Sequence, residues 1–186
     1  MTRLRQILRR AFRRMADEDG SITVDFVIIA PMFIMILLAS FEAGYANMRQ
    51  VMLERALDIT VRDLRVGALG NQPPHTVVRN RFCELATLMP DCQTDLMLEM
   101  RVIDRTTWTG FANAPTCVNR LLNVEPALSF TQGGANQLVT IRACAVFDPF
   151  FPTTKFGLRL QLDASGGYQM AAMSAFVNEP RVAGGT

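Results

Sequence analysis

Residues 21–48 read SITVDFVIIAPMFIMILLASFEAGYANM. From Phe26 to Phe41 no residue carries a charge, and Asp25 and Glu42 bracket that run of sixteen. A bilayer span needs about 20 residues at 1.5 Å of rise each. Ser21–Val24 on one side and Ala43–Met48 on the other supply the missing length if the two acids lie near the interfaces. Ile28 to Leu38 is apolar on every face, whereas a surface helix of a soluble protein keeps a polar side. Segment 21–48 therefore reads as a transmembrane helix, with a buried core helix as the alternative.

Upstream lies MTRLRQILRRAFRRMADEDG, with six arginines in the first fourteen residues and three acids, Asp17, Glu18 and Asp19, directly before Gly20. Arg and Lys flanking a span stay on the cytoplasmic side. Residues 1–20 are thus expected to form a basic cytoplasmic leader, and the chain beyond about Met48 to lie outside, in a periplasm if the cell is bacterial. A cleaved secretory signal is a competing reading. The long basic region, the acidic triplet and the poor small-x-small site at Gly44-Tyr45-Ala46 count against it.

Over all 186 residues, 19 basic against 17 acidic side chains leave a net charge of +2, which is not the footprint of a nucleic-acid binder. The single histidine, His75, argues against His-based metal sites and most Ser-His or Cys-His catalysis. No phosphate loop, nucleophile elbow or catalytically spaced carboxylate pair appears. The chain is expected to be no enzyme, with no metal and no cofactor.

After the span, Phe41, Tyr45, Met48, Met52, Ala56 and Ile59 recur at helical spacing, widened by Leu53, Leu57 and Leu64. Asp58 and Arg62 stand four apart, a favourable helical pair. Gly67 and Gly70 supply the stop. One helix from about Ile22 to Val66 is predicted, roughly 65 Å long, with a kink or local unwinding at Pro31. Residues 49–70 form its stalk. Thr76 is expected to cap a short helix, Val77 to Met89, ended by Pro90. Leu96 to Asp104 alternates as a half-buried strand would. Leu138 to Phe147 is a second strand, Leu158 to Asp163 a third by its alternation, and Tyr168 to Phe176 a fourth. Residues 106–136 are loop-rich. The expected fold is α+β, a long N-terminal helix packed on a small antiparallel sheet, with residues 71–180 as the outside domain and 181–186 as a flexible tail.

All four cysteines, Cys83, Cys92, Cys117 and Cys144, follow the span. An even number in an outside compartment favours two disulfides, and three connectivities are open. Cys83–Cys92 and Cys117–Cys144 are preferred, the first closing a short loop across the Pro90 helix end and the second tying an irregular segment to a strand. Of the remaining residues, His75 is expected in an exposed loop and Trp108 in the core, with a contact surface as the alternative for Trp108. Phe147, Phe150 and Phe151 are expected to close a core, with docking on membrane or partner subunits as the alternative. Asp148 and Glu179 are expected to fix turns.

Gly20, four further residues, Asp25 and Phe26, with the apolar run just after, resemble a prepilin-type processing site. More particularly, Gly20, Asp25–Phe26, Pro31 and Glu42-Ala43-Gly44 resemble the TadE/TadF-like pseudopilins of the tight-adherence (Flp) pilus system. Ser174 to Pro180 is similar to that group as well, and the cysteine placement is a looser match. Where the family more often has Glu, this chain has Asp25, one methylene shorter. The resemblance implies a pilin-like fold and a role as a minor subunit in pilus assembly. It implies a cut between Gly20 and Ser21 by a prepilin-type peptidase, with the new Ser21 amine one helical turn from Asp25. The implied partners are other pilus subunits, inner-membrane assembly proteins and membrane lipid. The competing expectation is a periplasmic adhesion or scaffolding module, permanently anchored by an uncleaved N-terminus.

Overall fold

The computed structural model describes residues 21–108, 111, 114–121, 129–151, 162 and 165–179. The leader, the third strand expected over 158–163 (Leu162 apart) and the tail 181–186 lie outside the described residues. Helices α1 (Ser21–Val66), α2 (His75–Leu85) and α3 (Cys92–Asp95) precede strands β1 (Leu96–Val102), β2 (Leu138–Phe147) and β3 (Tyr168–Val177). The fold is α+β. The chain divides into two compact units, Met1–Phe41 and Glu42–Thr186.

Helix α1 is 46 residues long and runs through Pro31 without interruption, so the local unwinding expected there is absent. It contains a stretch long and apolar enough to cross a membrane. In the first unit, the described side chains from 23 to 37 are exposed apart from half-buried Ala30. The helix ends where the sequence places its stop. Gly67 adopts φ +75°, which only glycine enters without cost. Its N–H donates to the Leu64 carbonyl at 3.2 Å, and the Ala68 N–H to the Asp63 carbonyl at 2.9 Å. That pair of bonds satisfies carbonyls which the last turn leaves without helical partners.

In the second unit, α1 buries Glu42, Ala46, Leu53, Ala56, Leu57, Thr60, Val61 and Leu64, spaced so that they share one face. The buried Thr60 hydroxyl donates to the Ala56 carbonyl at 2.7 Å. Phe41 and Met48 of the aromatic and methionine stripe are exposed instead. Asp58 and Arg62 are exposed, and among the described residues they form no ion pair; in water two such side chains gain little from meeting.

The sheet is antiparallel in the order β1-β2-β3. Leu98 lies opposite Ala143, and Ala143 opposite Ala172. The face carrying these residues also carries Met100, Ile141, Val139, Tyr168 and Phe176, and it shares one core with the buried stripe of α1 and with Val78 and Phe82 of α2. The half-buried reading of β1 needs correction: Leu96 through Met100 are all buried. The opposite face is covered too. Cys117, disulfide-bonded to Cys144, packs there with Val146. Glu99 pairs with Arg142 across the β1–β2 register, and Phe111 lies 4.2 Å from the Arg142 guanidinium. Alternation reads a strand's own pattern and cannot see a covering segment that arrives from elsewhere in the chain.

Helix α2 starts one residue before the expected cap, after Pro74 and without a side-chain cap, and stops at Leu85. The Ala86 N–H still reaches the Phe82 carbonyl, but its backbone leaves the helical region. Ala86 and Met89 then both turn into the core, and the residue before Pro90 is disfavoured in a helix. Cys83 of α2 is disulfide-bonded to Cys92 of α3, so the two bridges are the pairings preferred from the sequence.

Other single residues depart from expectation. His75 opens α2 and is half-buried, its ring edge-on to Phe130 at 4.9 Å. Trp108 is not in the core; it is 70% exposed. Asp148 and Glu179 do more than shape turns, since each forms an ion pair with a distant arginine, Arg120 and Arg65 respectively.

Candidate functional site

Two regions carry residues singled out for function. The first is the start of α1. Ser21 is its first residue, and Asp25 and Phe26 follow in the same helix, both exposed. Asp25 lies beyond the first turn, where the favourable effect of the helix dipole has fallen off. No ion pair to Asp25 occurs among the described residues. Gly20 lies outside them.

The second region begins at Glu42, the acid that closes the uncharged run. Its residue is only 2% exposed. A buried carboxylate is costly unless its oxygens are bonded. Here the backbone N–H of Phe150 donates to Oε1 and that of Phe151 to Oε2, both at 2.9 Å. Hydrogen bonds to an ionised acceptor are stronger than neutral ones, so this clasp fixes the loop after β2 against α1.

Arg49 stands seven residues further along the same helix face. Its Nη1 donates to the Asp148 carbonyl at 2.8 Å and to the Tyr168 hydroxyl at 2.7 Å. The guanidinium lies 4.4 Å from the centre of the Tyr45 ring and 5.0 Å from that of Phe147. Tyr168 is fully buried, and this burial pushes its phenol above the ordinary tyrosine range, with Arg49 opposing. The Asp148 carboxylate meets Arg120 Nη1 at 2.6 Å, and Arg120 also pairs with Asp95 at 2.5 Å. Burial works to lower the Arg120 pKa, but its bonds to Asp95 and Asp148 outweigh that and leave it raised. Asp148 is therefore held twice, by its carbonyl from α1 and by its carboxylate from the 114–121 segment.

The three expected core phenylalanines divide. Phe147 is buried, Phe150 is exposed and Phe151 lies between. Phe150 packs edge-on against Tyr45 at 5.7 Å and against Phe151 at 5.0 Å. The sequence marks Glu42 as a boundary of the uncharged run and as part of the family resemblance, but not as the holder of a distant loop. The available signal was its position, an acid directly after sixteen uncharged residues, together with Arg49 inside an otherwise apolar stripe.

Among the described residues this chemistry fastens one element to another. A cavity of about 230 Å³ lies elsewhere in the second unit, beside Leu64, Gln132, Phe176 and Asn178. Its ionisable lining residue, Glu179, is already paired with Arg65 at 3.0 Å. Among the described residues no group of three or more His, Cys, Asp or Glu is placed to hold a metal ion.

Residues 20–62 match the family model described as TadE-like protein. The matched segment runs from the residue before α1 to Arg62 and so includes Asp25, Phe26, Pro31, Glu42 and Arg49. No curated protein and no solved structure matches the chain.

Proposed function

We propose, for a chain whose residues 20–62 are TadE-like, a role as a minor pseudopilin-like subunit in assembly of a tight-adherence pilus. The observation that carries this reading is the division of labour along α1. From Glu42 to Leu64 one face is used up on the protein's own sheet. From 26 to 37 the helix is uncharged and, half-buried Ala30 apart, exposed, ready for lipid or for the helices of other subunits. The protein is membrane-anchored. In the proposal the arginine-rich leader stays in the cytosol, the span lies in the inner membrane, and the disulfide-bonded body lies in the periplasm. Two disulfides suit an oxidising compartment.

Processing after Gly20 by a prepilin-type peptidase supplies the switch. Six arginines next to an anionic leaflet each contribute about 1 kcal/mol of attraction, and they cannot easily cross hydrocarbon. Their removal with the three acids takes the net charge from +2 to −1 and frees the subunit to move outward. The new Ser21 amine would lie one turn from Asp25 and could neutralise it, within a subunit or between neighbours. Nothing in this role calls for catalysis, a metal or a cofactor.

The intact mass of the protein taken from its native membrane, with and without reductant, tests the reading. A chain beginning at Ser21 is expected, gaining the mass of four hydrogens on reduction. Replacing Gly20 with a bulky residue should leave the longer chain in the membrane. A native N-terminus at Met1 or Thr2 would instead make the protein a permanently anchored periplasmic scaffold or adhesion module.

A further inference from the structure

We propose that the loop after β2, residues 148–151, is a lipid-contacting anchor that seats the body on the headgroup region of the membrane. The proposal rests on residues 23–41 residing in the bilayer. It adds a second point of attachment, outside α1, that the anchoring helix alone does not require.

The direction of the loop is the first argument. Arg49 holds the carbonyl of Asp148, and Glu42 holds the N–H groups of Phe150 and Phe151. Seven residues of helix separate Arg49 from Glu42, about 10 Å of rise. From Asp148 to Phe151 the loop therefore runs along α1 from Arg49 toward Glu42, the residue that closes the uncharged run, and bends at Phe150 and Phe151.

The chemistry at the bottom of that descent is the second argument. Phe150 is 56% exposed although it sits on Tyr45 and Phe151. Tyrosine and tryptophan, whose rings carry a polar atom, concentrate where hydrocarbon gives way to headgroups, and Tyr45 packs edge-on against Phe150 here. The Glu42 carboxylate at this level is capped by two backbone N–H groups. An uncapped carboxylate there would oppose immersion. Arg49, one to two turns further from the span, keeps its guanidinium among Tyr45, Phe147 and Tyr168. The arrangement presents a ring to lipid at Phe150 and caps the Glu42 carboxylate beside it, while the exposed Asp148 carboxylate stands at the Arg49 end of the loop, paired with Arg120.

The chain has a single tryptophan, Trp108, so a Trp108→Phe background is free of indole. In it, Phe150→Trp and, separately, Phe33→Trp are reconstituted into vesicles of phosphatidylethanolamine and phosphatidylglycerol, at low protein density. The lipids carry bromine on the acyl-chain carbons nearest the headgroup in one series and deep in the chain in another. The indole introduced at position 150 should emit to the blue of free tryptophan and lose about half its emission to the shallow bromines, with less loss to the deep ones. The indole at position 33 should respond to the deep series. Quenching at 33 without quenching at 150 overturns the anchor and leaves the span intact. An indole at 150 that is shielded from aqueous iodide yet untouched by either bromolipid is covered by protein, and also overturns it. No quenching at 33 removes the span on which the proposal stands.

Discussion

Glu99 and Arg142 sit opposite each other on β1 and β2 and form an ion pair on the sheet face turned away from α1. Arg142 Nε donates to Glu99 Oε2 at 2.8 Å, and the two residues are 5% and 8% exposed. Removing one partner would strand the other charge under Phe111 and the Cys117–Cys144 bridge. Glu99→Leu or Arg142→Leu alone should lower unfolding stability by about 3–5 kcal/mol. The double variant Glu99→Leu with Arg142→Leu should recover most of that loss, because neither charge then remains buried and unpaired. Urea unfolding of the detergent-solubilised protein, followed by near-ultraviolet circular dichroism, measures all three. A double variant as unstable as the two singles combined would mean that the two side chains act independently and that no stranded-charge penalty links them.

The two disulfides should differ in what they contribute. Cys83–Cys92 closes a loop of sequence separation 9, and Cys117–Cys144 one of separation 27. On the chain-entropy account the shorter bridge restrains the unfolded chain by about 2.6 kcal/mol and the longer by about 3.5 kcal/mol. Cys117→Ser with Cys144→Ser should therefore lower the urea midpoint further than Cys83→Ser with Cys92→Ser. The longer bridge also pins the segment that covers Glu99 and Arg142, which adds to the same ordering. The reverse order would locate the benefit in packing around α2 and α3 instead.

What could be read from the residues alone was what is local. The bounds of α1 are legible because its apolar run, its helical stripe and its Gly67 stop all lie within the segment they define. Strand β2 is legible for the same reason, and its observed limits are the expected ones. The clasp at Glu42 was not, since its partners lie 108 and 109 residues away and are backbone N–H groups, which no side-chain pattern reveals. The full burial of β1 was hidden by the same cause. Its second face is closed by a segment that a bridge of separation 27 brings back to β2. Position 25 shows the opposite case. Motif reading singled it out, and among the described residues its carboxylate forms no ion pair; the partner proposed for it, the Ser21 amine, would exist only after cleavage at Gly20.

Tyr168 ties the clasp to alkaline pH. Its phenol is fully buried and accepts a hydrogen bond from Arg49 Nη1 at 2.7 Å. Burial, the larger influence, disfavours the phenolate and raises its pKa, with Arg49 pulling the other way. The unfolded chain releases this proton at about pH 10, the folded chain only at higher pH. Between those two values the folded state holds more protons than the unfolded one, so stability falls as pH rises. The contribution is complete below about pH 10 and is lost as pH climbs through the folded value. Tyr168→Phe should cost about 1.5–3 kcal/mol at neutral pH, the worth of a hydrogen bond to a charged group. The same substitution should flatten the alkaline decline, narrowing the gap between variant and parent as pH rises above 10. Thermal melts between pH 7 and pH 11, with the tyrosinate absorbance recorded alongside, decide the matter. If the gap stays constant across that range, the alkaline loss belongs to other groups and the phenol at position 168 is not the one that burial holds protonated.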